Sequence, residues 1–164
     1  MESYGPSTKL MKYDFLHKFI ENNEKHIHLI KTQYLSLLSM LTTVTDLTDD
    51  DFLFQVSKIS TNGLIAICYQ ENIGDLPFLI TGSGSIFIEP KIIHGCSSVG
   101  HIEDIVVHTE YRKKGISQCI LEMLKTYCEE IGCYKVILDC NDDVQSVYEK
   151  NGFVKKGSQM AIYF

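Results

Sequence analysis

The stretch "GHIEDIVVHTEYRKKGISQCILEMLKTYCEEIGCYKVILDC", residues 100–140, contains a strand pattern, a helix pattern and a second strand pattern in succession. The first, "HIEDIVV" (101–107), is rich in Ile and Val, and the last, "CYKVILDC" (133–140), predicts a short buried strand. Between them, apolar residues recur at the helical period until Gly132, which is expected to end the helix: Ile116, Cys119, Ile120, Met123, Leu124, Tyr127 and Ile131. A helix that joins two strands in this way predicts a βαβ-like unit with parallel strands.

The turn "YRKKG" (111–115) lies between the first strand and the helix. The first amides of a helix have no partner within it, and the helix dipole is positive there, so this end can bind a phosphate. Gly115 would let the backbone approach an anion closely, and the neighbouring basic side chains add charge. The spacing alone is equally consistent with an exposed basic turn whose charges are solvated.

The N-terminal part of the chain is predicted to hold a strand and two helices. The segment "YDFLHKF" (13–19) alternates with the period of a strand, and a helical pattern follows from Glu24. Thr48 and Asp51 have the spacing of a capping box and predict the start of a short second helix.

The central part is predicted to be a hairpin of two strands. The segments "GLIAICYQE" (63–71) and "PFLITGSGSIFIEPKII" (77–93) flank a run of turn-forming residues. The "GSGS" at 82–85 indicates a bulge or a close approach of backbones, although plain strand flexibility would also explain it.

The C-terminal part is predicted to hold one more helix and two more strands. The segment "DDVQSVYEKNGF" (142–153) predicts a helix of two turns, capped by Asn141 or Asp142 and ended by Gly152. The final strands are "VKK" (154–156) and "QMAIYF" (159–164). These patterns together predict one α/β (α+β) domain over residues 1–164.

Composition and charge limit the possible functions. The chain is 45% hydrophobic with a formal net charge of −6, which argues against a broad nucleic-acid-binding face. We expect no membrane span and no secretory signal, so the six cysteines are interpreted as reduced thiols of a cytoplasmic protein. The histidines lack metal-ligand spacing, because His26 and His28 are not separated by one helical turn, and we expect no metal.

Several segments carry a resemblance to a known family. "YRKKGIS" after a strand resembles the acyl-CoA-binding motif of the GNAT acetyltransferases. In addition, five segments in the same order resemble the eukaryotic glucosamine 6-phosphate N-acetyltransferases of that superfamily: "LTTV" (41–44), "EPKIIH" (89–94), "GHIEDIVV" (100–107), "GCYKVILDC" (132–140) and "VYEKNGF" (147–153). The resemblance implies a GNAT fold, which is a central mixed, largely antiparallel twisted sheet with a splayed parallel strand pair, flanked by helices.

The resemblance also implies an activity. An acetyl group would pass from acetyl-CoA to the amine of D-glucosamine 6-phosphate by direct attack in a ternary complex, a step of UDP-N-acetylglucosamine biosynthesis. Family members are homodimers, and a homodimer is expected here.

Site residues are carried over from the matching motifs. Acetyl-CoA would be bound by Ile105, Val106, Val107, Arg112, Lys113, Lys114, Gly115, Ile116, Ser117 and Gln118. The catalytic set would be Glu103 and Asp104 facing the sugar and amine, Asp139 orienting the amine, and Tyr148 protonating the thiolate. The sugar phosphate would be bound by Thr42, Lys91, Ile92, Ile93 and His94, with Tyr134 and Lys135 as further ligand contacts and Glu103, Asp104 and Asp139 shared with catalysis.

Each of these residue types also has an ordinary structural explanation. Glu103 or Asp104 could be a charge at a strand edge, Asp139 a turn acceptor and Tyr148 a core aromatic. Two other functions stay open, namely a GNAT enzyme for another primary amine and a non-catalytic CoA-binding module.

Two departures from the family pattern bear on these alternatives. Tyr163 stands where the family has a basic residue that reaches the sugar phosphate of the partner subunit, so the phosphate is expected to rely on Lys91, His94 or an N-terminal lysine, Lys9 or Lys12. Ser117 stands where a small Gly or Ala is usual, which a helix N-terminus should tolerate.

Overall fold

The computed structural model describes residues 10–164, and Lys9 lies outside the described residues. Five strands form one sheet in sequence order: β1 Lys12–Phe15, β2 Gly63–Ile73, β3 Leu76–Pro90, β4 Ser98–Val107 and β5 Cys133–Leu138. The neighbours from β1 to β4 are antiparallel, whereas β4 and β5 are parallel. The predicted hairpin and the predicted parallel pair are therefore confirmed.

In the described part of the chain, six α-helices surround the sheet: α1 Leu16–Asn22, α2 Ile27–Leu38, α3 Asp49–Ser60, α4 Ile93–Cys96, α5 Ile116–Glu130 and α6 Gln145–Glu149. The predicted start of α3 is confirmed, because the Asp51 amide donates to Thr48 Oγ1 at 3.1 Å, which makes Thr48 the N-cap. The Asp51 carboxylate accepts from the Thr48 hydroxyl at 2.7 Å rather than from the Thr48 amide, as it would in a complete capping box. The α4 segment is a distorted single turn, in which His94 and Gly95 have left-handed backbone angles. None of the helices in the described range 10–164 has the length and apolar character needed to cross a bilayer.

The sheet has a hydrophobic cluster on each face. One face packs against α1, α2 and α3 through buried residues that include Leu16, Phe19, Ile30, Leu37, Phe52, Val56, Ile67 and Ile80. The other face packs against α5 through Ala66, Ile86, Ile102, Ile116, Ile120, Leu121 and Leu124. A sheet covered on both faces provides a rigid support for the strand ends.

The predicted bulge at "GSGS" is confirmed, whereas the atoms nearest to Gly84 belong to side chains rather than to an approaching backbone. Ser83 pairs with Val106 and Ser85 with Glu103, so Asp104 and Ile105 of β4 stand opposite Gly84 alone, as in a β-bulge. A Cβ atom at Gly84 would also collide with the side chains of Ile105 and Ile120. The bulge gives Asp104 a left-handed φ of 54°, which changes the direction of the side chains at this point of β4.

Three predictions near the chain ends are wrong. The strand predicted over 13–19 ends at Phe15, because Leu16, Phe19 and Ile20 instead bury one face of α1. The helix predicted from residue 142 begins at Gln145, so Asn141 and Asp142 are not its caps, although Gly152 does follow it with a φ of 88°.

The remaining errors concern strands. The predicted strands "VKK" and "QMAIYF" do not form within the described chain, where Met160, Ile162, Tyr163 and Phe164 are highly exposed. Neither edge strand, β1 or β5, pairs with this segment in the described chain. In addition, β5 is an edge strand with exposed Tyr134 and Ile137, so it is not a buried strand.

Candidate active site

The parallel strands β4 and β5 separate at a defined point. Their last paired residues are Ile102 and Leu138, and β4 continues to Val107 without β5. The next residue on each strand is a carboxylic acid, Glu103 on β4 and Asp139 after β5. The splay thus places two carboxylates at the point where the sheet opens.

A cavity of about 610 Å³ lies at this opening. Among the predicted site residues, its walls contain Glu103, Asp104, Ile105, Val106, Val107, Arg112, Lys113, Gly115, Ile116, Ser117, Asp139 and Tyr148. Met40 and Leu41, from the segment after α2, contribute another part of the wall, and Thr42 follows them in the chain at an exposed position. Most of the predicted residues are therefore brought together, and their individual roles stay predictions.

One end of the cavity is basic and is formed by the start of α5. Gly115 precedes the helix with a left-handed φ of 78°, which favours glycine, and no side chain caps the first amides. Arg112 donates from Nε to the Val107 carbonyl at 3.2 Å. Lys113 lines the cavity, whereas the ammonium of Lys114 lies 4.6 Å from the Tyr111 ring centroid. Free amides next to cationic side chains suit an anion such as a pyrophosphate.

The other end of the cavity is acidic and is formed by Glu103, Asp104, Asp139 and Asp143. His101 Nε2 lies 3.2 Å from Glu103 Oε1 and 3.3 Å from Asp139 Oδ2. The Nε2 atom is buried, and it is not aligned as a hydrogen bond with any single acceptor in residues 10–164. His101 is not among the site residues predicted from the sequence, because its nearness to Asp139 depends on the register of β4 against β5.

Asp104 lies on the side of the site next to α2. The buried Tyr34 hydroxyl accepts a hydrogen bond from Ser83 at 3.2 Å. Burial raises the pKa of Tyr34 to about 12, with the negative charge of Asp104 contributing and the Ser83 hydrogen bond opposing. The Tyr34 phenol is therefore neutral at physiological pH and tolerates the nearby carboxylate.

Tyr148 of α6 is partly buried and also lines the cavity. Its ring lines the cavity and packs edge-on against Phe153, with centroids 6.2 Å apart. Burial raises the pKa of Tyr148 above its ordinary value, and the nearby Cys140 thiol raises it further. A phenol that stays protonated can donate a proton.

A second group of predicted residues lies at the opposite end of the β4–β5 pair. We call it the His94–Tyr134 patch, and it consists of Lys91, Ile92, Ile93, His94, Tyr134 and Lys135. The His94 and Tyr134 ring centroids lie 4.2 Å apart with the rings tilted by 31°, and the Lys135 ammonium lies 5.5 Å from the Tyr134 ring centroid. Ile92 is 91% exposed.

The patch is distant from the cavity of its own subunit. Ser98 pairs with Cys133 at the patch end, and Glu103 lies five residues further along β4, about 16 Å at the rise of an extended strand. Lys91 is paired with Glu89, and Lys12 is paired with Glu71 on β2, at the far side of the sheet from β5. None of these lysines reaches the cavity within its subunit.

One group of side chains could accept a metal ion. His101, Glu103 and Asp139 offer one nitrogen and two oxygen atoms within 4.8 Å of one another. Such a set suits a divalent cation, but it also suits an imidazole held by two carboxylates. The expectation of no metal stays a prediction.

Comparison with known proteins gives concordant matches. The model of the "Acetyltransferase (GNAT) family" matches residues 32–153. The chain is 37% identical over 134 residues to the glucosamine 6-phosphate N-acetyltransferase of Arabidopsis thaliana, covering 80% of this chain and 87% of that protein. It is 36% identical over 132 residues to the enzyme of that name from Candida albicans, with 80% and 87% covered. The crystal structure of the Arabidopsis thaliana enzyme superposes with a TM-score of 0.79 at 32% identity, covering 95% of this chain and 99% of that one.

Proposed function

The chain belongs to the GNAT acetyltransferase family, and we propose that it acetylates D-glucosamine 6-phosphate. The reaction transfers the acetyl group of acetyl-CoA to the sugar amine and gives N-acetyl-D-glucosamine 6-phosphate and CoA. The observation that carries the proposal is the charge separation in one cavity, with Arg112 and Lys113 at one end and Glu103, Asp104 and Asp139 at the other. An anionic donor and a cationic amine would each find an opposite charge there.

The basic end binds the donor. The amides of the first turn of α5, together with Arg112 and Lys113, bind the pyrophosphate. The bulge and the splay leave backbone groups of Ile105, Val106 and Val107 beyond the β4–β5 ladder, where they contact the extended pantetheine arm. An amide of this segment is placed to stabilise the oxyanion that forms when the thioester is attacked.

The acidic end binds and activates the acceptor. Asp139 accepts a hydrogen bond from the amine and orients its lone pair, while Glu103 and Asp104 bind the sugar side of the acceptor. Carboxylates favour binding of the ammonium, which loses one proton to solvent before attack. The amine nitrogen then forms the new bond to the acetyl carbon, the carbon–sulfur bond breaks, and the nitrogen loses a second proton, which replaces the proton that Tyr148 gives to the thiolate.

Tyr148 protonates the leaving thiolate. Its pKa is raised by burial, so the hydroxyl keeps its proton until the thiolate develops. CoA then leaves as the neutral thiol, which is a poorer nucleophile for the reverse reaction than the thiolate.

We further propose that the enzyme is a homodimer in which the patch of one subunit completes the cavity of its partner. The support is that the cavity has no lysine or arginine at its acidic end among the described residues, although the acceptor carries a phosphate. The patch supplies Lys91, His94 and Lys135 on an exposed surface. The apolar segment "QMAIYF" pairs with no strand among the described residues of its own subunit and would pair with a strand of the partner.

Two features of the proposal concern the cellular setting. The reaction belongs to the formation of UDP-N-acetylglucosamine, and the cytoplasm is its proposed site. All six cysteines are free thiols, which suits a reducing compartment. No metal is required by the steps described, since the protein's own side chains move the protons.

Thiol release from acetyl-CoA tests the proposed acceptor. Purified protein is offered glucosamine 6-phosphate, unphosphorylated glucosamine, a polyamine and a lysine-containing peptide. We expect the highest kcat/KM with glucosamine 6-phosphate and a large loss when its phosphate is absent. A higher kcat/KM with another amine would establish a GNAT enzyme for a different acceptor, an alternative motivated by Tyr163. Turnover with none of the four compounds would favour a non-catalytic CoA-binding module.

A further inference from the structure

His101 has no role in the steps described above, yet it occupies a special position in the sheet. It pairs with Ile137, and only one further residue pair follows before β4 and β5 separate. Its Nε2 atom is buried beneath the cavity, between Glu103 Oε1 at 3.2 Å and Asp139 Oδ2 at 3.3 Å. The imidazole therefore connects two strands at the point where their backbone pairing ends.

The geometry explains why a nitrogen is needed at this position. Two carboxylates at one site repel each other, and this repulsion would push their strands further apart. A ring N–H directed between two oxygens can be shared by both acceptors, which accounts for its alignment with neither one. A shared donor bridges the two carboxylates and fixes their separation.

The surroundings leave these two carboxylates as the main partners of the ring. On β3, Glu89 is near enough to interact with His101, but its carboxylate is bound by Lys91, which lowers the pKa of Glu89. Among residues 10–164, no charged side chain of α2 or α3 forms an ion pair with His101. Glu103 and Asp139 are therefore the two ion-pair partners of His101.

We propose that His101 is a positioning residue, which holds Glu103 and Asp139 at the separation needed to orient the acceptor amine. The inference rests on the proposed function, since these carboxylates are the groups that would contact the acceptor. His101 itself is not in the cavity wall and does not touch the acceptor. It acts through the two carboxylates.

Two substitutions separate positioning from simple packing. His101→Leu fills the space but removes the donor, whereas His101→Gln retains an N–H donor near the position of Nε2. We expect His101→Leu to lower kcat/KM for the acceptor at least about tenfold, and His101→Gln to recover most of that loss. The dissociation constant of acetyl-CoA should stay within about twofold in both, because the basic end is built on α5. Equal losses in the two variants, or equal weakening of acetyl-CoA binding, would overturn the positioning role.

A double-mutant cycle tests the coupling without reference to the acceptor. Wild type, His101→Leu, Asp139→Asn and the double variant are compared by urea unfolding. We expect non-additive effects on stability. The equilibrium constant of unfolding of the double variant should differ at least about threefold from the value obtained by multiplying the two single-variant changes. Additive effects would overturn the inference.

Two controls keep the possible failures distinct. Absence of turnover by the wild type with glucosamine 6-phosphate would refute the proposed function, and the unfolding cycle would still decide the role of His101. Loss of wild-type activity on chelation, restored by Zn²⁺, would overturn the positioning role, because His101 would then be a metal ligand.

Discussion

The cavity and the His94–Tyr134 patch lie at opposite ends of the same pair of strands, and they differ in how completely one subunit forms them. The cavity is lined by β4, β5, α5, α6 and the segment after α2, and it contains the charges that would face the anionic donor and the acceptor amine. The patch is an exposed surface, in which Ile92 is 91% and Ile93 62% exposed. The proposed catalytic groups are thus assembled within one subunit, whereas the patch lies on the surface, away from the cavity of its own subunit.

This difference assigns separate tasks to the two regions. Groups that perform chemistry must be held within a fraction of an ångström, and the covered sheet with its bulge and helix terminus provides that rigidity. Groups that recognise a phosphate tolerate a longer and less rigid connection, because charge attraction acts over several ångströms. The comparison therefore predicts catalytic losses from the cavity and affinity losses from the patch.

The largest expected effect concerns the cavity chemistry. Asp139→Asn and Tyr148→Phe should each lower kcat about a hundredfold or more, because they remove an orienting acceptor and a proton donor. Isothermal titration should show acetyl-CoA affinity retained in both. Matched controls are Asp142→Asn and Tyr127→Phe, whose side chains lie outside the cavity wall. Turnover unchanged by the first pair would remove the catalytic roles assigned to them.

The second effect concerns the basic end of the same cavity. Lys113→Glu combined with Lys114→Glu should weaken acetyl-CoA binding about tenfold at low salt and less at high salt, because these charges flank the start of α5. The same change of charge at Lys25 and Lys58, which are exposed and remote from the cavity, is the control. If the dissociation constant is unaffected, the turn is only a solvated basic loop.

The third effect addresses the patch and the proposed dimer. Tyr134→Ala with His94→Ala should raise KM for the acceptor severalfold with little change in kcat, since the ring pair of the patch is removed while the cavity stays intact. Mixing this variant with Tyr148→Phe, after dissociation and reassociation, should restore activity at low acceptor concentration. Half of the dimers would be hybrids with one intact site, giving roughly a quarter of the wild-type rate. No gain on mixing would place the patch outside the partner's site.

The same contrast separates what the sequence could predict from what it could not. Local patterns predicted α5 with Gly132, the start of α3 at Thr48, the hairpin and the parallel pair, because each depends on neighbours a few residues apart. The start of α1 at Leu16 and the absence of strands after Phe153 depend on which surface a segment meets in space. Alternation of apolar residues does not contain that information.

The residues of the candidate site also divide into those that local sequence predicts and those that depend on contacts in space. The basic turn of α5 was predictable from physical principles, and the other site residues came from the motif resemblance. The partition of the predicted residues between the cavity and the patch, and the contact of His101 with Asp139, required the register of β4 against β5. The departure at Tyr163 falls on the segment that pairs with no strand in the described part of its own subunit.

The smallest expected effect concerns a contact that supports the cavity wall from behind. The buried Lys31 of α2 donates to the Leu47 carbonyl at 2.5 Å and lies 3.0 Å from Asp49 Oδ1, which fastens the segment that carries Met40 and Leu41 into the wall. The hydrogen bond from Lys31 lowers the pKa of Asp49 below its ordinary 3.8, and His28 contributes to the shift. A lowered pKa means that the ionised carboxylate stabilises the fold above pH 3.8, and that this stability is lost as the pH falls below that value.

Asp49→Asn should therefore lower Tm slightly at pH 7, and the difference from wild type should shrink as the pH falls from 3.8 through the lowered folded-state pKa of Asp49, below which Asp49 is protonated in both states of the wild type. Asp50→Asn is the matched control, since Asp50 occupies the same first turn of α3 but forms no ion pair among residues 10–164. Thermal unfolding followed by circular dichroism, from pH 7 down to the acid side of the folded-state pKa of Asp49, measures both variants. A difference that persists on the acid side of that pKa would mean that the contact acts through packing rather than charge, and a raised KM for the acceptor at pH 7 would show that the cavity wall depends on this contact.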